Sequence, residues 1–350
     1  MESNWILVGD MHLFVFGDMA IQGEYLLTQL SPLVDENTTL FFSGDQFDEN
    51  KPVETELIQF VADHLAPILR RAKKVYMLVG NHDTHKHIDL EKNNNKLFNM
   101  LTNVTVVSEL TNVEIDGYKF LMTPYKVDHN KLQEEIDAVD ADILFCHSNI
   151  DKVVFDNGHS MLKNTLYAEN LKKFKLVING HIHKPQVVDN ILNLGSPWQT
   201  KFGDRGSDCG IYKLNPRDLQ QYFDDVALFE RNKIKNTISP RFHKMPFSKL
   251  IKMSPEEVLS RFSGDNLWVT DSEDNSKVAE ILKGVTLRSL RVGTAETEET
   301  GVDIDYQHNE DIMDNFSPYL KSLKKVQVGE KLVQIDEKYI KELEKTLSGL

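Results

Sequence analysis

Val75-Tyr76-Met77-Leu78-Val79 runs without a polar break into Gly80-Asn81-His82-Asp83. Five apolar residues closed by a glycine predict a buried strand. The polar tetrapeptide then stands at the strand's carboxyl end. Amide oxygen, imidazole and carboxylate are donors that suit Mn²⁺, Fe²⁺ or Zn²⁺. Taken alone, such a tetrapeptide could equally be a polar turn.

Working outward, the same grammar recurs on both sides. Upstream, Trp5–Gly9 runs into Asp10-Met11-His12, and Thr39–Ser43 into Gly44-Asp45-Gln46-Phe47-Asp48. Downstream, Asp142–Cys146 runs into His147, and Leu176–Asn179 into Gly180-His181-Ile182-His183. No single loop can surround an ion, so its donors must converge from several elements. In open α/β sheets the carboxyl ends of neighbouring strands face one crevice, which supplies that convergence. Gly44, Gly80 and Gly180 are expected to let the backbone turn tightly at the strand ends. Two ions about 3.5–4 Å apart can share a carboxylate and clamp an in-line displacement at phosphorus. His85 and His87, which follow the central motif, read as bystanders.

The remaining pattern of the first 230 residues fits an α/β core. Val104–Val107 is a further predicted strand, and Val113–Ile115 and Tyr118–Met122 flank Asp116-Gly117, a hairpin signal. Pro52–Ala72 reads as a helix with Pro52 in its first turn and a kink or end at Pro67. Later strands are expected at Ile191–Leu194, Gly210–Leu214 and Gln220–Leu228. So many late strands point to two sheets facing each other in a sandwich flanked by helices. Residues 231–293 change character and read as a small α+β module, with Ser254 and Glu257 forming a capping box at a helix start and Asn266–Thr270 a strand. An acidic linker, 294–310, precedes two helical pieces, Asp311–Leu323 and Asp336–Leu347, within the segment 311–350.

Composition bounds the rest. At 350 residues with 40% hydrophobic and 27% charged content the chain is an ordinary globular one. Its apolar runs are far shorter than the roughly 20 residues of a spanning helix, and no signal-like start is present, so a cytoplasmic protein is expected. Cys146 and Cys209 are the only cysteines, which excludes a disulfide framework. The net charge of −14 works against nucleic-acid binding, whose affinity comes mostly from Lys and Arg on phosphates. The charge is segregated, however: Arg231–Lys252 carries Arg231, Lys233, Lys235, Arg241, Lys244, Lys249 and Lys252 with no acidic residue.

The five motifs together resemble the calcineurin-like metallophosphoesterases, whose fold is a two-sheet sandwich flanked by helices. The resemblance implies one ion held by Asp10, His12, Asp45 and His183, and a second by Asp45, Asn81, His147 and His181, with Asp45 the bridge. Mn²⁺ is the ion it favours, with Mg²⁺, Fe²⁺ or Zn²⁺ as the other candidates. It makes His82 the group that stabilises or protonates the leaving oxygen, with Asp48 a second candidate catalytic residue. Phosphoprotein phosphatases of the superfamily usually continue the second motif with Asp-Arg-Gly, whereas Asp48 is followed by Glu49-Asn50. Gly44-Asp45-Gln46-Phe47-Asp48, Gly80-Asn81-His82-Asp83 and Gly195-Ser196-Pro197 look instead like the SbcD-type double-strand-break repair nucleases. Pro240-Arg241-Phe242-His243 and the helical end are similar to the recombination nuclease subunits of T-even-like bacteriophages.

That resemblance implies an exonuclease on duplex DNA ends with endonuclease activity. Residues 231–293 become a capping domain, with Arg231, Lys233, Lys235, Arg241 and Lys244 as candidate phosphate contacts. The terminal helices would dock on an SbcC-like coiled-coil ATPase, and the nuclease would be a homodimer. The alternative is a two-metal phosphodiesterase or phosphatase for small phosphoesters, for which the 130 or so residues after the core are superfluous.

Overall fold

The computed structural model of the chain describes residues 3–13, 19–48, 52–84, 90–155, 158–161, 164–272, 275–293, 325–328 and 331–334. Met1–Thr294 forms one compact unit and Ala295–Leu350 a second. In chain order the strands are β1 (Asn4–Val8), β2 (Thr38–Phe42), β3 (Lys74–Leu78), β4 (Val104–Val107), β5 (Thr111–Ile115), β6 (Tyr118–Thr123), β7 (Ile143–His147), β8 (Leu176–Gly180), β9 (Gln186–Val188), β10 (Ile191–Asn193), β11 (Gly210–Leu214) and β12 (Lys233–Lys235).

They build two six-stranded mixed sheets, in the orders β12-β11-β1-β2-β3-β4 and β5-β6-β7-β8-β10-β9. In the first, β1 to β4 are parallel, with β11 and β12 added antiparallel. In the second, β6, β7, β8 and β10 are parallel, with β5 and β9 antiparallel at the edges. The sandwich expected from the sequence is therefore present. Successive side chains point to opposite faces, and both faces are apolar. Trp5, Leu7, Phe41 and Leu78 meet Phe120, Phe145, Ile178 and Leu192 between the sheets. Ile6, Val8, Leu40, Phe42 and Met77 pack outward on helical residues such as Leu26, Leu30, Leu65 and Leu69. On the far side Leu144, Cys146 and Val177 are covered by Leu132, Ile136 and Phe174. At the centre Phe41 stacks on Phe120, centroids 5.5 Å apart, and meets Trp5 edge-on at 5.3 Å. Each such ring buries about 1.5–3 kcal/mol worth of apolar surface.

The hairpin at Asp116-Gly117 forms as read, with φ of 48° and 87° at the two residues, so both adopt the left-handed conformation of a two-residue turn. Two helical readings need correction. The long helix starts at Thr55, not at Pro52, and passes Pro67 unbroken to Arg71. It does so through a wide turn at Val61–Leu65, where the Ala66 N–H reaches back to the Val61 carbonyl. A proline has no N–H and its ring collides with the carbonyl four residues earlier, and the extra residue in the turn relieves that collision. The helix from Met19, which was not foreseen, widens in the same way at Leu26–Leu30 before Pro32. The strand expected at Gln220–Leu228 is instead a helix, Leu219–Asp224, followed by a tight turn, Val226–Asn232. Leu219, Tyr222, Val226 and Phe229 recur at helical spacing and are buried. The Asn215 side chain accepts the Arg217 N–H at the short turn Pro216–Asp218 that leads into the helix, and Asp225 accepts the Ala227 N–H at the start of the turn after it.

A small three-stranded parallel sheet follows, β13 (Phe242–Pro246), β14 (Asn266–Thr270) and β15 (Ser289–Gly293), in that order. Its helices pack on a core of Met245, Leu250, Val258, Phe262, Leu267, Val269 and Val278. Ser254 and Glu257 cap the helix Pro255–Phe262 reciprocally, as their spacing predicts. Because β12 pairs with β11 in the first large sheet, the chain leaves the core after Lys235, a few residues beyond the expected boundary at 230. In the second unit, β16 (Lys325–Val328) and β17 (Lys331–Gln334) pair antiparallel. The acidic linker, the helices at 311–323 and 336–347, and His85 and His87 lie outside the described residues. No helix among the described residues is long and apolar enough to cross a membrane.

Candidate metal centre

The five strand ends converge. Oxygen and nitrogen donors of Asp10, His12 and His183 lie within 4.8 Å of one another, as do those of Asp45, His147 and His181. Asp45 Oδ2 links the halves, 3.4 Å from His147 Nε2 and 3.7 Å from His12 Nε2. Asn81 Oδ1 joins the second half at 3.0 Å from His147 Nε2 and 2.9 Å from His181 Nδ1. All seven residues that the motifs single out as ligands thus share one site.

The backbone pays attention to direction. His12, Asp45 and His181 have φ of 45°, 50° and 78°, a left-handed conformation that costs a non-glycine residue about 1–2 kcal/mol. Of the three strand-end glycines only Gly44, at 111°, turns in that way. Gly80 and Gly180 serve close approach: a Cβ on Gly80 would lie 2.0 Å from Asp45 Oδ1, and one on Gly180 2.5 Å from Ser43 Oγ. The ligands themselves make the turns that were expected of glycine.

Hydrogen bonds behind the ligands fix their orientation. His147 Nδ1 donates to the Ser43 carbonyl at 2.8 Å, which leaves the Nε2 lone pair facing the site. Asp10 accepts the Ser43 hydroxyl at 2.8 Å and the His181 N–H at 2.7 Å. Asp45 Oδ1 accepts the His82 N–H at 2.8 Å, leaving Oδ2 at the centre. The loops after β1 and β2 are zipped together by the N–H groups of His12 and Leu13 donating to the Asp45 and Gln46 carbonyls. Asp83 ties in the third loop: its carboxylate accepts the N–H groups of Gly80, Gln46 and Phe47 and the Asn95 side chain. Burial, with Asp45 nearby, pushes the Asp83 carboxyl up to about 7.

The donor set fits divalent ions. His147 Nε2, His181 Nδ1, Asn81 Oδ1 and Asp45 Oδ2 crowd one point, where the proton held on His147 occupies the place that a cation would take. His12 Nε2 is buried without a hydrogen bond, a cost that metal ligation removes. Charge agrees. Burial alone would raise Asp45, but His147, His82 and His12 outweigh it and hold the carboxyl well below its usual range. Burial and His147 keep His181 neutral. Burial would lower His147, yet Asp45 and Asp10 hold it up at about 9, so an ion entering this half displaces a proton.

His82 stands beside the centre, its ring 4.8 Å from that of His12, with Nδ1 2.7 Å from the Asp48 carbonyl. Asp48 Oδ1 lies 3.1 Å from His12 Nδ1. Asp48 thus touches His12 with its carboxylate and His82 with its carbonyl.

Asp204 was not anticipated. It is buried, with Oδ1 3.4 Å from His183 Nδ1, and Oδ2 takes the Thr200 N–H and hydroxyl at 2.8 and 2.7 Å. No strand end or motif marks it in the sequence, since it reaches His183 across a loop. Asp204→Asn is expected to weaken one of two bound Mn²⁺ ions by about 10–100-fold, the usual effect of removing a carboxylate behind a ligating histidine. Calorimetric titration of metal-stripped protein checks this, and two unchanged affinities would refute the role.

The candidate phosphate contacts fall on both sides of the junction between core and small module, where Lys235 and Arg241 are near enough to feel each other's charge. Arg231, Lys233 and Lys235 belong to the core, where Lys233 pairs with Glu230 and Lys235 with Asp208. Arg241 lines a cavity of about 360 Å³ between core and small module, and Lys244 lies 4.2 Å over the Trp268 ring.

Comparison with known proteins bears on the same residues. The family described as calcineurin-like phosphoesterase matches residues 6–185, from β1 to just past His183. Exonuclease subunit 1 of Enterobacteria phage T4 is 26% identical over 267 residues, 73% of this chain and 78% of that protein. Among solved structures, a protein of unknown function from Aquifex aeolicus, AQ665, is 13% identical with a TM-score of 0.29, covering 53% of this chain and 81% of its own. A novel archaeal phosphodiesterase is 14% identical with a TM-score of 0.31, covering 61% and 94%.

Proposed function

Since the chain belongs to the calcineurin-like phosphoesterases, we propose that it is a Mn²⁺-dependent DNA nuclease, an exonuclease on duplex ends with endonuclease activity. We place it in double-strand-break processing and recombination, as the nuclease subunit of an SbcCD-like complex with a coiled-coil ATPase partner. The observation that carries the DNA reading is the similarity to exonuclease subunit 1. At 267 residues it is longer than the 6–185 stretch that holds the metal centre, so it takes in chain that a hydrolytic centre alone does not require. That relative is named as a subunit, which supports work in a complex. Docking of the ATPase on the 311–350 segment and homodimerisation belong to this proposal.

Asp10, His12, Asp45 and His183 would hold one ion, and Asp45, Asn81, His147 and His181 the other. When bound, the pair supplies a water acidified for attack and positive charge for the phosphoryl oxygens. The chain's own residues do the rest. His82 Nδ1, donating to the Asp48 carbonyl, leaves Nε2 as the nitrogen that exchanges a proton with the leaving oxygen. Its backbone is locked by the N–H bond to Asp45. The imidazole is therefore oriented by both neighbours before substrate arrives, the condition for general acid catalysis.

End-labelled linear duplex incubated with the full-length protein is expected to be degraded with Mn²⁺ and to survive with chelator. Intact DNA alongside brisk hydrolysis of an aryl phosphate would instead establish the small-phosphoester reading.

A further inference from the structure

Three of the ligands take orienting partners from the strand ends: His147 from Ser43, Asp10 from Ser43 and His181, Asp45 from His82. His183 differs. Among the described residues, the carboxylate beside its Nδ1 is that of Asp204, on the loop that carries the small module's contacts. That loop is stiff. Asp204 Oδ2 accepts the N–H of Thr200 at 2.8 Å, the hydroxyl of Thr200 at 2.7 Å and the N–H of Lys201 at 3.2 Å, closing a tight turn over Phe202–Asp204. Oδ2 is held by its own loop, and Oδ1 is left for His183.

The other side of the turn is seated in the small module. The Phe202 ring meets Phe242 of β13 edge-on at 5.0 Å and Trp268 of β14 at 5.8 Å. Three residues before Phe202, Gln199 Oε1 accepts the Phe242 N–H at 2.7 Å. Trp268 is itself fixed, since Lys244 and Arg291, its register partners on β13 and β15, lie 4.2 and 4.3 Å over its ring. One short turn therefore has a phenylalanine wedged into the β13–β14–β15 module and, two residues on, a carboxylate against a metal ligand.

We propose that the Thr200–Asp204 turn is a strut that transmits the seating of the small module to His183, with Phe202 as its positioning residue. Seating of the module and ion binding in the Asp10–His12–His183 half then favour one another. The physical reason is that the turn is closed on itself: Gly203 separates Phe202 from Asp204, but three hydrogen bonds from Thr200 and Lys201 to one Asp204 carboxylate oxygen span that glycine, so displacing Phe202 moves Asp204 with it. Coupling of this kind is reciprocal, so each event must strengthen the other by the same factor. The inference rests on the two-metal reading of the site and not on the identity of the substrate.

The test needs no turnover. Metal-stripped full-length protein is titrated calorimetrically with Mn²⁺, and the wild type is expected to take up two ions; binding of none would refute the metal reading itself. Phe202→Ala is expected to weaken one of the two by about tenfold, the lower end of effects from a partner behind a ligand, and Phe202→Leu to recover most of it. Hydrogen exchange of Asn266–Thr270 reads the reverse direction, and in wild type it is expected to slow when Mn²⁺ is added. A folded Phe202→Ala protein that binds both ions with wild-type affinity would overturn the strut. So would exchange in β14 that is indifferent to Mn²⁺ in the wild type, a result that does not depend on any variant folding.

Discussion

Asp45→Ala is expected to leave a folded protein that binds Mn²⁺ at neither site with useful affinity and hydrolyses phosphoesters no faster than background. A single oxygen of Asp45 reaches both halves, with His147 at 3.4 Å and His12 at 3.7 Å. Its removal takes charge from each site and leaves the positively held His147 without its main counterion. The loss should exceed the roughly 10²–10³-fold that follows deletion of one electrostatic donor from an active site. Thermal denaturation gives a second readout. A ligand at 100 times its Kd stabilises the native state by about 2.7 kcal/mol, roughly 5–10 °C for a domain of this size. Mn²⁺ should raise the wild-type Tm by such an amount and leave that of Asp45→Ala in place. A variant that still gains both stability and activity from Mn²⁺ would remove Asp45 from the bridge.

His82→Ser separates chemistry from binding. The hydrogen bond of His82 to the ligand set comes from its backbone N–H to Asp45, which serine keeps, while the ring that serine removes lies beside His12. Both ions should therefore bind with wild-type affinity while kcat falls by about 10²–10⁴, the range for loss of a general acid. KM should change little. Loss of ions together with activity would show that the imidazole is a ligand, and wild-type turnover would show that the leaving oxygen is protonated by something else.

The parts legible in the sequence were those in which chemistry and backbone are neighbours along the chain. β1, β2, β3, β7 and β8 are buried on both faces, so they read as unbroken apolar runs, and each ligand follows its run within a few residues. What escaped depended on partners remote in sequence. Asp204 reaches back 21 residues to His183, and no local pattern announces it. Asp83 is in plain view within its motif, yet its work of holding the Gln46 and Gly80 loops together is a tertiary matter. The basic run from Arg231 looked continuous because β12's antiparallel pairing with β11, which divides it between core and small module, has no local signature. At Leu219–Asn232 the β-forming Tyr, Phe and Val residues favoured a strand, whereas Leu219, Tyr222, Val226 and Phe229 bury one helical face and Asp225 caps the turn that follows.

The left-handed backbone at His12, Asp45 and His181 also sets a direction for sequence drift. Glycine relieves that conformation and any ligating side chain is lost with it. A lineage selected only to stay folded would therefore shed its chemistry at these three positions first, gaining heat resistance as it did so. The three ligands thus hold strain that the fold by itself does not need.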